Sequence, residues 1–167
     1  MAITYEYSTE CALESSSPAL ANMAIQSLTL KVLPFKFTQG AAAGDAGSIA
    51  YLRRLPPGEV WFFPLLSEFQ SDDMGTSTNV DIGFDEYTEP DGSVVSADPN
   101  LFDDGVDNHS AAMQAAMGSD YGHATAGDTG MFKKFNSREG VLITATFTDD
   151  TVAAAGVFGG YLVIGVP

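Results

Sequence analysis

The sequence contains a single cysteine, two histidines and only seven basic residues among 167. A chain whose sole cysteine is Cys11 forms no internal disulfide and no cysteine-rich metal site. Cys11 has no basic neighbour in the sequence, so nothing predicts a reactive thiol. No window approaches about 18 uninterrupted apolar residues, and the N-terminus lacks the basic and apolar regions of a secretion signal. We therefore expect a protein that is made and kept in a cytosol unless it leaves by lysis or within a particle.

The shortage of basic residues argues against direct binding to nucleic acid. The chain has 22 acidic residues against seven basic ones, a formal net charge of −15, and no Lys or Arg occurs between Leu55 and Phe132. A nucleic-acid binder needs clustered Lys and Arg to neutralise phosphates, and an anionic membrane is excluded for the same reason. The acidic surface serves solubility, or else it docks a basic partner or binds cations.

Catalytic motifs are also missing. The sequence has no nucleophile elbow, no glycine-rich phosphate loop, and no paired histidines at metal-binding spacing. His109 and His123 lie near Asp residues, but Asp-rich connections between strands are usually solvated turns. We predict no catalytic residue, no cofactor, no metal site and no enzymatic activity. If a cation does bind, the oxygen ligands that best suit Ca²⁺ are those of Asp98, Asn100, Asp103, Asp104 and Asp107.

The apolar residues are numerous enough for one core. They make up 45% of the chain and include eleven Phe, six Tyr and one Trp, which suits a single domain of this length. β-type patterns occur at residues 27–37, 59–70, 76–85, 141–148 and 160–166, separated by Gly, Asp, Pro and Asn. The last two patterns, with a turn between them, predict a C-terminal hairpin. Short strands without βαβ alternation predict an all-β fold, an antiparallel β-sandwich or jelly-roll-like barrel.

Two local patterns add detail to this fold. Leu28, Leu30 and Val32 alternate with polar residues until Pro34, which predicts a half-buried strand with these three side chains inward. Residues 108–118 are Ala-rich and begin with capping residues, so they predict one short helix.

Residues 60–66 are apolar on both faces of a predicted strand. Such a strand lies in a sandwich core or against another subunit, and Trp61 suits either setting. The run offers more apolar surface than a half-exposed strand can hide, so we predict a homo-oligomer, most simply a trimer. The candidate interface residues here are Val60, Trp61, Phe62 and Phe63.

Residues 1–26 differ in composition from the single β-rich domain predicted for residues 27–167. Ile3, Tyr5 and Tyr7 alternate with polar residues, which predicts one short strand in an extended N-terminal arm, followed by a linker. An isolated strand is not stable alone, so this one must pair with the domain or with another chain. The same three residues are therefore candidate interface residues.

The order of patterns resembles the head decoration, or cement, proteins of tailed bacteriophages over roughly residues 25–167. The resemblance lies in an LPPGE turn after a strand, a VDIG strand, an Asp-rich turn at residues 101–107, and a closing apolar strand at residues 159–166. It implies a β-rich structural virion protein without a cofactor, bound to the major capsid protein on the outer capsid surface. It also implies small oligomers, often trimers, and an N-terminal segment that reaches across neighbouring capsomers. Residues 39–47 and 86–99 are insertions relative to the simplest members.

Two other functions fit the same patterns. A Ca²⁺- or carbohydrate-binding adhesion module could use aromatic and acidic residues at 84–87 or 120–123. A tail or baseplate component of the same particle is the third interpretation.

Overall fold

A computed structural model of the chain describes residues 28–41, 43–107, 113–118 and 132–167. Within these ranges the secondary structure is almost entirely β, and the described residues between Leu30 and Val166 belong to one compact unit. One 3-10 helix spans Pro64–Leu66. No helix in the described ranges is long and apolar enough to cross a membrane. The strands are β1 (Thr29–Thr38), β2 (Ile49–Arg54), β3 (Gly58–Phe62), β4 (Glu68–Ser71), β5 (Asn79–Phe84), β6 (Tyr87–Thr88), β7 (Val94–Val95), β8 (Asp98–Asp107), β9 (Met113–Ala116), β10 (Lys133–Ser137), β11 (Leu142–Thr148) and β12 (Val157–Val166).

The strands form two main sheets and one short hairpin. The six-stranded sheet has the order β10-β3-β12-β4-β9, with β1 also paired to β12. The four-stranded sheet has the order β2-β11-β5-β8, and all three of its strand pairs are antiparallel. The hairpin of β6 and β7 closes through a turn in which Glu89 donates its N–H to the carbonyl of Ser93.

The pairing pattern is nested from the ends of the chain towards its middle. β1 pairs with β12, β2 with β11, β3 with β10, β4 with β9, and β5 with β8. Such a pattern arises when one long antiparallel strand pair is folded over so that its segments alternate between two sheets. This is the strand order of a jelly roll. The prediction of an all-β sandwich of jelly-roll type is therefore confirmed.

The predicted C-terminal hairpin is wrong. β11 lies in the four-stranded sheet and β12 in the six-stranded sheet, so the two strands do not pair. The connection between them carries Asp149 and Ala155 at positive φ, 70° and 59°, and leads the chain from one sheet to the other. Two consecutive β patterns with a turn between them look alike in sequence whether the strands pair together or with earlier strands.

The predicted helix at residues 108–118 is also wrong over the part that the structure describes. Met113–Ala116 form β9, which pairs antiparallel with β4 from Ser71 opposite Met113 to Glu68 opposite Ala116. Alanine favours helices only weakly, and tertiary context overrides that preference. Here the edge of β4 supplies backbone partners that a strand can use.

Two further patterns have different structures from those predicted. Residues 101–107 lie inside β8 rather than in a turn. Gly105, at φ +70°, accompanies an irregular register between β8 and β5. The pattern at residues 59–70 is two strands, because Pro64 has no N–H for the ladder and begins the 3-10 helix.

The prediction that Leu28, Leu30 and Val32 face inward is wrong for the two that lie in β1, because the other face of that strand is buried. Leu30 and Val32 are exposed, whereas Phe35 is buried and both Leu33 and Phe37 pack against the core. A shift of one residue exchanges the two faces of a strand. The three large residues in the second half of β1 therefore decide which face is buried.

The core between the sheets is built largely from phenylalanine. The ring of Phe158 on β12 lies 5.9 Å from Phe35, 5.2 Å from Phe69 and 5.8 Å from Phe147, measured between centroids. Phe147 belongs to β11 in the opposite sheet. A second group contains Phe84, Tyr87 and Phe135, whose rings meet edge to face. The rings thus join the two sheets across the interior.

Replacing Phe158 by Ala should destabilise the protein by about 3–5 kcal/mol, because it removes a fully buried ring and leaves a cavity between three others. Urea denaturation followed by tryptophan fluorescence measures this change. The matched control is V94A on the exposed hairpin strand β7, which should cost less than about 0.5 kcal/mol. Equal losses in the two variants would contradict this description of the core.

Candidate partner-binding surfaces

Trp61 lies on the outer face of the six-stranded sheet, covered by the chain's own side chains. Its ring stacks on that of Phe132 with 4.5 Å between centroids. Its Nε1 donates a hydrogen bond of 2.9 Å to Glu59 Oε1, while Lys134 Nζ lies 2.9 Å from Glu59 Oε2. Hydrogen bonds from Lys134 and then from Trp61 lower the pKa of Glu59. Trp61 is 6% exposed, so this cluster stabilises the sheet and presents little apolar surface.

The 3-10 helix after β3 does present apolar side chains. Leu65 and Leu66 are 45% and 56% exposed. The turn is held in place because Ser67 Oγ donates to the carbonyl of Phe63 at 2.8 Å and accepts the N–H of Val163 at 2.9 Å. A fixed pair of exposed leucines is a suitable contact for a partner.

The seven predicted interface residues have different surroundings. Val60 and Phe62 face the core between the sheets and are 1% and 0% exposed, so in this structure their side chains cannot reach a partner. Phe63 is half-buried, with its ring 5.9 Å from that of Phe132. Alternation explains the split, since every second residue of β3 points inward. The remaining three, Ile3, Tyr5 and Tyr7, lie outside the described residues.

The four-stranded sheet has a shallow depression on its outer face. Its volume is about 50 Å³, well below the roughly 300–1,000 Å³ of small-molecule sites. Gly83 is needed beside it, because a Cβ there would collide with the backbone of Asp98 and Pro99, where β8 has an irregular register with β5. Ile49 and Tyr51 at the rim are 53% and 59% exposed. The lining residues are Ile49, Tyr51, Phe84, Asp85, Ala97, Pro99, Thr144 and Thr146.

The residues considered for a cation do not form a compact loop. They are distributed along β8, and Asp103 is fully buried with Oδ2 accepting the N–H of Gly118 at 2.8 Å. Among the described ranges, no group of three or more His, Cys, Asp or Glu side chains is placed to hold a metal ion. His109, His123 and Cys11 lie outside those ranges.

Asp81 on β5 is partly buried and lies near two other aspartates. Partial burial raises its pKa, and the neighbouring Asp104 and Asp149 raise it further, although a hydrogen bond from the N–H of Gly105 opposes the change. Asp149 in turn accepts a 2.6 Å hydrogen bond from Asn79 Nδ2. Negative charge is therefore concentrated at the β5–β8 side of the sheet.

The fold is similar to that of chains in viral capsid structures. It aligns with a chain of the cyanophage Pam1 capsid asymmetric unit at a TM-score of 0.52 and 11% identity, covering 84% of this chain and 86% of that one. A chain of the Helicobacter pylori bacteriophage KHP30 capsid aligns at 0.39 and 11% identity, covering 83% and 89%. A chain of infectious bursal disease virus, Gx strain, aligns at 0.48 and 9% identity, and this chain spans 32% of it. No protein-family model matches the sequence, and no curated protein is significantly similar to it. At 11% identity, the likeness to the Pam1 capsid chain is one of fold alone.

Replacing Asp81 by Asn should stabilise the protein at neutral pH. A raised pKa means that the folded state holds the proton more tightly than the unfolded chain, so ionisation of Asp81 disfavours folding as pH rises above its ordinary pKa. Asn has no charge to ionise, and its side-chain oxygen can still accept the hydrogen bond from the N–H of Gly105. We expect D81N to raise the melting temperature at pH 7 by about 1–3 °C, the effect of a fraction of a kcal/mol.

Asp91 provides a control of opposite sign. Hydrogen bonds from the backbone and side chain of Ser93 lower the pKa of Asp91, so its ionised form favours folding and that contribution is lost as the pH falls through the lowered pKa. D91N should therefore lower the melting temperature at pH 7. The melting-temperature differences between each variant and the wild type should shrink below about pH 3, where the carboxyl groups become protonated. A D81N variant that melts below the wild type at pH 7 would contradict this account.

Proposed function

We propose that this chain is a structural virion protein that binds the outer surface of a phage capsid and strengthens the shell without catalysing a reaction. The observation that carries the proposal is the extent of the fold. The described chain is one jelly roll, and its alignment with the Pam1 capsid chain covers 84% and 86% of the two. A chain folded as one such sandwich suits a component of a protein shell.

The charge of the chain favours the outside of that shell. A net charge of −15 repels packaged nucleic acid, and an inner lining needs positive charge to hold phosphates. An acidic protein facing the solvent is instead kept soluble and apart from nonspecific partners.

Exposed apolar side chains supply contacts for the major capsid protein. Leu65 and Leu66 are held on a fixed turn, and Ile49 and Tyr51 occupy the rim of the four-stranded sheet. Each contact is modest, but a protein that bridges several capsomers gains effective concentration from its other contacts. Repetition over the lattice then stabilises the shell.

The same reasoning assigns roles to the two segments of the chain. Residues 27–167 are the folded domain, self-associating as a homotrimer, and residues 1–26 are an arm. Ile3, Tyr5 and Tyr7 have the alternation needed to add a strand to an open edge of a neighbour by main-chain hydrogen bonds. The arm then contributes more to attachment than to folding.

Purified protein should cosediment with phage heads that lack it and raise the temperature at which packaged heads release DNA. The variant L65D/L66D should bind heads at least about tenfold more weakly, since charges replace an apolar contact. V94D, at a residue of similar exposure, is the matched control and should bind normally.

The proposal would be contradicted if heads that lack the protein resisted heat as well as heads that carry it. Closed shells formed by the chain alone would make it the lattice subunit, and binding to tails or glycans would favour the alternatives.

Deleting residues 1–21 should leave the melting temperature within about 2 °C of the full chain, because the deleted segment contains none of the Phe, Trp or Val residues of the chain. Binding to heads should weaken by about tenfold or more. Calorimetry and cosedimentation measure the two effects separately. Loss of cooperative unfolding after the deletion would show that the segment belongs to the core.

A further inference from the structure

The four-stranded sheet has an open edge at β2. Within the described ranges, β2 pairs only with β11, so its other side has no strand beside it. An open edge presents backbone N–H and C=O groups that a further strand can pair with. β2 contains no proline that would interrupt such a ladder. Its backbone can therefore accept one more strand.

The charge of β2 limits which strand this edge accepts. Arg53 and Arg54 are both exposed, and Arg53 forms no ion pair with any residue in the described ranges. Arg54 Nη1 reaches only the carbonyl of Glu139, at 3.5 Å. Charged side chains keep open edges from pairing indiscriminately: a basic strand is repelled here, whereas an acidic one is attracted. The edge therefore suits an extended segment with a net negative charge.

The N-terminal arm of this chain has that composition. Residues 1–26 contain three Glu and no Lys or Arg, whereas residues 28–57 contain four basic residues and one acidic residue. Glu6 lies within the predicted strand of the arm, and Glu10 follows that strand. Residues 58–167 carry 18 acidic residues against three basic ones, so their net charge repels the arm. The basic stretch that contains β2 attracts it.

The apolar residues of the arm also match the outer face of β2. Ile49 and Tyr51 point outward there and are more than half exposed, whereas the alternate residues of the strand are buried. Side chains on the same face of neighbouring strands pack against each other. The alternating Ile3, Tyr5 and Tyr7 can therefore lie beside these two residues, where they extend the apolar outer face.

The direction of β1 determines where the arm leaves the domain. The N–H of Gln39, just after β1, donates to the carbonyl of Gly156, just before β12. Further along, Lys36 lies beside Gly159. β1 therefore runs antiparallel to β12, and Leu30 lies towards the C-terminal end of β12.

That end of the sandwich is also the end that holds Arg53. The C-terminal part of β12 pairs with Phe62, which pairs with Lys133 on its other side. Lys133 Nζ lies 6.0 Å from the centre of the Phe84 ring in the opposite sheet. Phe84 and Arg53 are at the same height along that sheet, because both pair with Ile143. When copies stand side by side in the same orientation, each arm therefore leaves its domain at the height of the neighbour's arginines.

The arm is long enough to reach a neighbouring copy. Twenty residues lie between Tyr7 and Leu28, and a segment of that length spans up to roughly 65 Å when extended. A folded domain of this size is about 40 Å across. The predicted strand can therefore reach β2 of the next copy.

We propose that the acidic N-terminal arm of one copy adds residues 3–7 as a strand to the β2 edge of a neighbouring copy. Main-chain hydrogen bonds join the two strands, and the glutamates of the arm lie near Arg53 and Arg54. The contact joins two different surfaces, so by rotation it closes into a ring such as a trimer. The inference rests on the proposed function, which gives the arm a neighbour to bind, and it names the surface that receives the arm. It gives the predicted oligomer a different contact from the run at residues 60–66.

Charge reversal tests this contact in the full-length protein by sedimentation velocity, without capsids. At about 100 µM and low salt the wild type should sediment as a multiple of its 17.6 kDa subunit, and about 0.5 M salt should weaken the association. R53E/R54E and E6K/E10K should each weaken it by about tenfold or more, because like charges then meet. The variant carrying all four changes should associate again, because arm and edge are once more complementary.

K31E/K36E is the matched control, since it makes the same charge change on β1 in the other sheet. It should associate as the wild type does, and circular dichroism confirms folding of each variant. A wild type that is monomeric at every salt concentration overturns the inference. So does E6K/E10K that associates normally, a folded four-change variant that fails to regain association, or a control that loses it equally. If R53E/R54E does not fold, E6K/E10K decides.

The single cysteine provides a second measurement on the unmutated chain. Cys11 lies four residues after the predicted strand of the arm, so a benzophenone attached to its thiol crosslinks to groups near the docked arm when irradiated. In a mixture of ordinary and nitrogen-15-labelled protein, mass spectrometry should find crosslinks between Cys11 of one copy and β2 of another. Crosslinks confined to one copy or to other strands overturn the inference. A protein that binds phage heads but fails these tests refutes this inference alone and leaves the role on the capsid intact.

Discussion

Burial of phenylalanine rings between the two sheets is the constraint on which the rest of the structure depends. Phe158 from one sheet meets Phe147 from the other, and Phe62 meets Phe102 edge to face at 4.8 Å. Each such ring contributes about 1.5–3 kcal/mol when it leaves water. Their positions decide which side of each strand faces inward, including the reversal in β1. The charged residues then fall on the outer faces and edges.

Closing the core in this way leaves the sheets open at their sides. A complete barrel has no edges, but a jelly roll of two sheets keeps them, and here β2 lies at one edge of the four-stranded sheet while β8 lies at the other. The sequence has placed positive charge at the first side and aspartates at the second. The fold thus provides edges, and the side chains determine which partner each edge accepts. Open edges of this kind are suited to contacts between protein chains.

The sequence allowed the fold class to be predicted but not the partners of each strand. The patterns located β1, β3, β4, β5, β11 and β12 but not the other six described strands. The apolar run at residues 60–66 suited either a core or an interface, and its candidate interface residues Val60 and Phe62 lie in the core. The patterns did not show that Pro64 divides that run or that β11 and β12 separate, because those outcomes depend on strands distant in sequence. The exposed Ile49 and Tyr51 were missed because Ala50 and Leu52 between them are equally apolar, so no period distinguishes the faces. The opposite charges of β2 and β8 were visible in the sequence, but only the sheet order shows that they lie at opposite edges.

The most direct test of the structural role is a cryo-electron microscopy reconstruction of intact virions that carry this protein. The account predicts density for a two-sheet β-sandwich on the outer surface of the shell. It also predicts that no copy lines the packaged nucleic acid. Density for the chain inside the shell, within the tail, or as the continuous lattice itself would contradict the central claim, as would its absence from the particle.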